Sequence, residues 1–252
     1  MSTLVFKILV LFFAPFISGL LIYLVPGVQS GKYKLLLVFA GSYLFAITVI
    51  HVFPSLYGHQ QHVEFVGLFV LLGFFLQQLL EYFSSGIEHG HIHTHGHAHT
   101  GPHRGISALV LLVALCVHAF LEGGILAHQV PPGVTAGTNT ILLGIVLHRA
   151  PAAFALMAVL QGQLNSKNKA IPHLLAFSLA APLGLVISEY LIEAEVLSQS
   201  GLIFLYALVC GNFLHISTTI VFESSPEHHF HAKKLAVALL GSLVAVAAET
   251  MM

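Results

Sequence analysis

The chain has 252 residues, of which 57% are hydrophobic and only 8% charged. Soluble globular domains average about 25% charged residues, so an ordinary soluble domain is excluded. A disordered chain, which needs low hydrophobicity and high net charge, is excluded too. The net charge of −1 leaves no bulk basic surface for nucleic acid. Cys116 and Cys210 sit in apolar runs, without the spacing of a disulfide framework or a CxxC zinc site. What remains is a polytopic membrane protein. It has no Asp and no Trp, and it carries 18 His against 10 carboxylates, all Glu. A histidine excess in a membrane chain points to metal or proton chemistry.

A bilayer-spanning helix needs about 20 mostly apolar residues. Eight segments qualify, near 4–25, 35–57, 65–83, 106–128, 138–160, 173–192, 201–222 and 235–249. Only short loops are left over. The sequence therefore predicts an all-α membrane protein, eight transmembrane helices in one bundle, as a single domain over 1–252. The first segment carries Lys7 and no A-x-A cleavage site, and reads as a retained helix rather than a signal peptide. Lys32, Lys34, Arg104, Lys167, Lys169, Lys233 and Lys234 all fall in the first, third, fifth and seventh loops, and the other loops hold no Lys or Arg. Positive charge stays on the cytoplasmic side, which predicts cytoplasmic odd loops and both termini outside.

Ionisable residues inside a span are costly and are functional candidates by default. His51 and Pro54 close the second segment in VIHVFPSLYG, and Glu81 lies near the end of the third. So close to helix ends, His51 and Glu81 favour a plain reach to the membrane interface over a place in a pathway. The third loop, 84–105, contains EHGHIHTHGHAHTGPH. His89, His91, His93, His95, His97 and His99 alternate there with small or neutral residues, and Gly and Pro leave no apolar face. Neutral imidazole binds Zn, Cu, Ni and Fe well. Such a tract favours weak, exchangeable metal capture, suited to buffering or sensing, over an idle solvated loop.

The fourth segment reads ALCVHAFLEGGILAHQ. His118 and Glu122 are four apart and share a helix face. That spacing suits two ligands of one metal, as in HExxH; the alternative is a pair that satisfies only itself. Gly123 and Gly124 follow, where close helix approach or irregular backbone is tolerated. In the fifth segment, GIVLHRAPAAFALM, His148 and Arg149 lie mid-span with Pro151 just after. Proline frees the carbonyl four residues back and predicts a kink beside His148. Arg149 must face protein, water or an anion, and Glu122 is its natural partner, either as a structural clamp or as part of a pathway. Glu189 lies toward the end of the sixth segment. His215 lies deeper in the seventh, in CGNFLHISTT, on a polar stripe with Asn212, Ser217 and Thr218 that either lines a pathway or stitches helices together.

Over essentially its whole length the chain resembles the ZIP (Zrt/Irt-like) family of divalent metal transporters. The resemblance rests on eight spans, outside termini, the His-rich third loop and HxxxE in the fourth segment. It also rests on TVIHVFP, AAPLG and GNFLHI in the second, sixth and seventh segments. The most specific matches are HAFLEG against a family pattern HNxPEG, and HRAPAA against HExPEG. The resemblance implies a metal centre between the fourth and fifth helices, with His118, Glu122 and His148 at retained ligand positions. Ala119 stands where the family has Asn, Arg149 and Ala152 replace its two helix-five carboxylates, and Ala181 stands where helix six often supplies a Glu. What is left implies a single-metal site of His118, Glu122 and His148, completed by water or a backbone carbonyl, as tetrahedral Zn(II) accepts. Losing carboxylates disfavours hard cations such as Mg and Ca. Arg149 would take the place of the second metal and orient Glu122.

The function expected is transport of zinc or a similar divalent transition metal toward the cytoplasm, by alternating access with the site near mid-membrane between two helix groups. His51, Glu189 and His215 are candidates for the pathway. A transport-inactive metal sensor or scaffold is the alternative, favoured by Ala152 and Arg149. An intramembrane zinc hydrolase fits poorly, because no HExxH occurs and no base is spare beyond Glu122. No enzyme activity and no cofactor are expected, the metal being substrate. The partners are the metal ion and the lipid bilayer, of a plasma or bacterial inner membrane, with a homodimer left open.

Overall fold

The computed structural model describes residues 2–24, 30–58, 63–84, 108–127, 137–164, 166–223 and 232–251. The His-rich tract, with His89, His91, His93, His95, His97 and His99, lies outside them. Among the described residues every regular element is helical. In chain order these are α1 (Ser2–Leu20), α2 (Ser30–Ile47), α3 (Phe53–Tyr57), α4 (Val63–Ser84), α5 (Ala108–Gly124), α6 (Gly137–Leu164), α7 (Lys167–Glu193), α8 (Gln199–Glu223) and α9 (Ala232–Met251). Seven of the helical runs are long and apolar enough to cross a membrane, one of them formed by α2 and α3 together as Tyr33–Tyr57.

The fourth predicted segment is the short one. Its apolar helix, Leu109–Gly124, rises roughly 24 Å at about 1.5 Å per residue, less than the roughly 30 Å of a bilayer core. Two successive glycines end it. Beyond them the backbone tightens into turns, with the Leu126 N–H on the Gly123 carbonyl (3.1 Å) and the Ala127 N–H on that of Gly124 (3.4 Å). Helix C-termini leave carbonyls unsatisfied and favour cations. Here Lys7, from α1, donates its Nζ to the Leu126 carbonyl oxygen at 2.9 Å.

Prolines are absorbed rather than breaking helices. Pro54 cannot donate to the Ile50 carbonyl, and the chain just before it widens into a π-turn over Thr48–Val52, which joins α2 to α3. The Thr48 and Ser55 hydroxyls cover nearby carbonyls, those of Leu44 (2.7 Å) and His51 (2.8 Å). α6 runs continuously through Pro151. Near it, though not at the Leu147 carbonyl that the proline frees, donors from other helices meet α6 carbonyls: Ser18 Oγ reaches Ala150 O at 2.5 Å and the Tyr33 hydroxyl reaches Pro151 O at 3.0 Å.

The helices fall into two groups by their packing. α1, α5, α6 and α7 pack mainly on one another, as do α2, α4, α8 and α9; between the groups the main contacts are α2 on α6 and α4 on α5. Within each group the tightest crossings bring backbone against backbone. A Cβ at Gly73 would overlap the Leu208 carbonyl and one at Gly211 the Val70 carbonyl, which locks α4 to α8. Gly123 and Gly184 face Ala181 and Phe120 in the same reciprocal way between α5 and α7. Small residues that let backbones approach are the usual means of helix association in lipid, where no hydrophobic drive remains. The outward faces of α1, α4 and α9 are correspondingly rich in exposed Phe, Leu and Val.

This packing makes a contrast between two glycines of one helix. Gly73→Ala forces α4 and α8 apart and should destabilise by about 1–3 kcal/mol, as overpacking does. Gly67→Ala meets only the Tyr57 hydroxyl, at ordinary contact distance (3.9 Å), and should be neutral. Monodisperse protein surviving a heating series, read by size-exclusion chromatography, distinguishes the two.

Candidate metal centre

α5 carries His118 and Glu122, paired by their spacing, and α6 carries the mid-span His148; the fold brings the three together. One ligand atom from each of His118, Glu122 and His148 lies within 4.8 Å of the others. All three side chains are buried. The i,i+4 register on α5 sets His118 Nε2 3.2 Å from Glu122 Oε1. His148 enters from α6, its ring edge-on to that of His118 with centroids 5.7 Å apart. Two imidazoles and a carboxylate converging in a water-poor interior make a donor set suited to a borderline-soft divalent ion. Both contributing helices belong to the same packing group, so the cluster lies inside one group, not between two.

Arg149 is also buried, at 1% exposure, among the largest buried side chains of the chain. Its Nε lies 4.0 Å from Glu122 Oε2, at the outer limit of an ion pair. The closer tie is to α7: Nη2 donates to the Phe177 carbonyl oxygen at 3.0 Å, and the guanidinium sits 4.8 Å over the Phe177 ring. The expected Glu122 partner is there, and a backbone acceptor and an aromatic face join it. No pattern in the sequence marked Phe177. The positions where the family resemblance would have further ligands hold buried alanines: Ala119, Ala152 and Ala181.

The other candidates lie elsewhere. His51 pairs with Glu249 of α9, Nδ1 to Oε1 2.7 Å, and Thr140 Oγ1 of α6 donates to the other carboxylate oxygen at 2.8 Å. Glu249 was not singled out from the sequence, although an acid at the end of an otherwise apolar span is a signal. Glu81 of α4 pairs with His215 of α8, Oε2 to Nδ1 3.3 Å, and the His215 ring meets Phe74 edge-on. His51 and Glu81 therefore bind across helices, where a reach to the interface was favoured. The stripe beside His215 divides. The Ser217 and Thr218 hydroxyls return to carbonyls of their own helix, whereas the Asn212 amide nitrogen, turned to donate, reaches the Gly73 carbonyl of α4 at 2.6 Å. Glu189, half-buried on α7, lies within electrostatic reach of Lys7.

Comparison with known proteins identifies a family. The family described as "ZIP Zinc transporter" matches residues 87–248. The chain is 29% identical over 188 residues to "Zinc transporter ZIP9-B" of Xenopus laevis, covering 71% of this chain and 59% of that protein. It is 28% identical over 184 residues to "Zinc transporter ZIP9" of Micropogonias undulatus, covering 70% and 57%. It is 34% identical over 116 residues to "Zinc transporter ZIP9" of Macaca fascicularis, covering 43% and 48%. The matches thus span less than two thirds of the length of these curated relatives.

The Glu122–Arg149 pairing generates a test of its own. Removing one member of a buried pair strands the other charge. Glu122→Leu should therefore destabilise by on the order of 3 kcal/mol in equilibrium SDS unfolding, and Glu122→Leu with Arg149→Leu should recover most of that loss.

Proposed function

Because the chain belongs to the ZIP zinc transporter family, we propose that it carries Zn(II) or a similar divalent transition metal across a membrane toward the cytoplasm. The observation that carries this reading is the buried triad His118, Glu122 and His148, with one ligand atom from each gathered within 4.8 Å. The triad supplies three protein ligands, and water or a backbone carbonyl completes a tetrahedron. With both imidazoles neutral and one carboxylate, the set favours zinc-like ions over hard oxygen-seeking cations. The imidazoles of the loop at 84–105 would take up the ion weakly on the cytoplasmic side. The topology follows the loop charges, with both termini outside, in a plasma or bacterial inner membrane.

Arg149 tunes the site without binding the ion. Its guanidinium stays charged at any accessible pH, and the Phe177 carbonyl and ring hold it in place. At about 4 Å and an effective dielectric near 20, a divalent ion is repelled by a fixed positive charge by several kcal/mol. The anchorage to α7 favours a guanidinium that stays beside Glu122 when metal binds over one that swings away. Zinc would then be held weakly and released readily. The transport-inactive sensor is the second reading, and the buried Ala152 in place of a shared carboxylate favours it.

Zinc uptake into liposomes holding the purified protein, scanned across metals, separates the two readings: uptake is expected, and binding without uptake would leave the sensor. His118→Ala and His148→Ala should each weaken zinc binding by more than the roughly 10–100-fold typical of losing an outer partner, measured by isothermal titration. Unchanged affinity in the double variant would move the site away from α5 and α6.

Arg149→Ala should tighten zinc binding, and Arg149→Glu with Ala152→Glu should raise the metal-to-protein ratio in native mass spectrometry. Weaker binding in Arg149→Ala would instead make the arginine a clamp that orients Glu122.

A further inference from the structure

The polar cluster of His51, Glu249 and Thr140 lies apart from the metal centre and has no part in holding the ion. It crosses the boundary between the two helix groups. His51, in the π-turn that continues α2, and Glu249, near the C-terminal end of α9, belong to one group; Thr140, in the first turn of α6, belongs to the other. The Glu249 carboxylate is shared, Oε1 with His51 Nδ1 at 2.7 Å and Oε2 with the Thr140 hydroxyl at 2.8 Å. A second bond fixes the same residue from the same side, as the Tyr43 hydroxyl of α2 donates to the Thr140 carbonyl at 3.2 Å. Thr140, Tyr43 and His51 are buried. The other His–Glu pair, Glu81 with His215, ties α4 to α8 within one group.

We propose that Glu249 is a latch between the two helix groups. Through His51 it is held to the α2–α9 side. Through Thr140 it docks the first turn of α6, the helix that carries His148 and Arg149. Thr140 and Glu249 are thus positioning residues: they set where α6 stands without touching the ion. A hydrogen bond to a carboxylate is roughly twice as strong as one between neutral groups, and burial from water strengthens it further. Alternating access requires the metal-bearing group to move against its neighbour, and such movement must break the Thr140–Glu249 bond. His51 sits in the π-turn, a backbone form frequent at functional sites. The inference rests on the transport reading for its consequence, but not for its geometry.

The test has two arms on the full-length protein. In hydrogen–deuterium exchange, Thr140→Val and Glu249→Leu should each speed amide exchange over residues 137–147 by about tenfold or more, the scale of losing one bond to a charged group. Residues 63–84 should be unaffected. The double variant should exchange no faster than Glu249→Leu alone, because that substitution already removes the acceptor of the Thr140 hydroxyl. Unchanged exchange at 137–147, acceleration spread evenly along the chain, or additive effects would each overturn the latch. In the second arm, Thr140→Cys with Glu249→Cys is bridged by a short bis-methanethiosulfonate, and zinc uptake into liposomes is followed. Uptake should stop on bridging and return on reduction; uptake at full rate while bridged would overturn the proposal. If the wild-type protein carries no zinc, the transport reading fails, and the exchange arm alone still decides the latch.

Discussion

A carboxylate buried without exposed surface has to be answered by positive or hydrogen-donating groups, and Glu122 is answered from three directions. His118 stands one turn away on its own helix, and His148 and Arg149 come from α6. The bundle interior depends on this convergence. Without Glu122 the Arg149 guanidinium would keep the Phe177 carbonyl and ring but no counter-charge from this carboxylate, and without Arg149 the cluster would lose its fixed positive charge. The pairing draws α5 toward α6, two helices that otherwise make few contacts.

Much of this was legible in the sequence, for reasons that differ between residues. Apolar runs of span length reveal the helices, because a backbone in lipid must bond to itself. The i,i+4 step from His118 to Glu122 is local geometry, and any helix imposes it. Arg149 finding Glu122 follows from scarcity, since few acids are available in mid-span. Glu249 was missed because its meaning comes from His51 and Thr140, both more than 100 residues away in the chain. Phe177 was missed because its carbonyl carries no side-chain signature. His51 and Glu81 were read as reaching water because their position near span ends suggests it, and only the packing of α2 on α9 and of α4 on α8 shows each with a partner. The fourth span was expected over 106–128, whereas α5 ends at Gly124, where Gly123 and Gly124 allow the backbone to turn; Lys7 then meets the Leu126 carbonyl beyond it.

The two helix groups give these pairs different roles. Glu81–His215 and the His51 side of the Glu249 cluster hold helices that already pack closely. Tyr33 on Pro151, Tyr43 on Thr140 and Thr140 on Glu249 cross between groups: the two tyrosines donate to α6 carbonyls, and the first turn of α6 donates to the Glu249 carboxylate. The helix that presents His148 and Arg149 is thus held from outside by polar bonds of fixed length and direction, whereas α5 is seated against α7 by shape.

That seating by shape has a mechanical consequence. Where Gly73 meets α8 and Gly123 meets α7, no side chains stand between the two backbones. Side-chain interfaces switch between discrete states by exchanging rotamers, but bare backbone has no rotamers to exchange. Each such crossing behaves as a weld. Compliance is left to the seams where side chains interleave, and between the two helix groups those are chiefly α2 against α6 and α4 against α5.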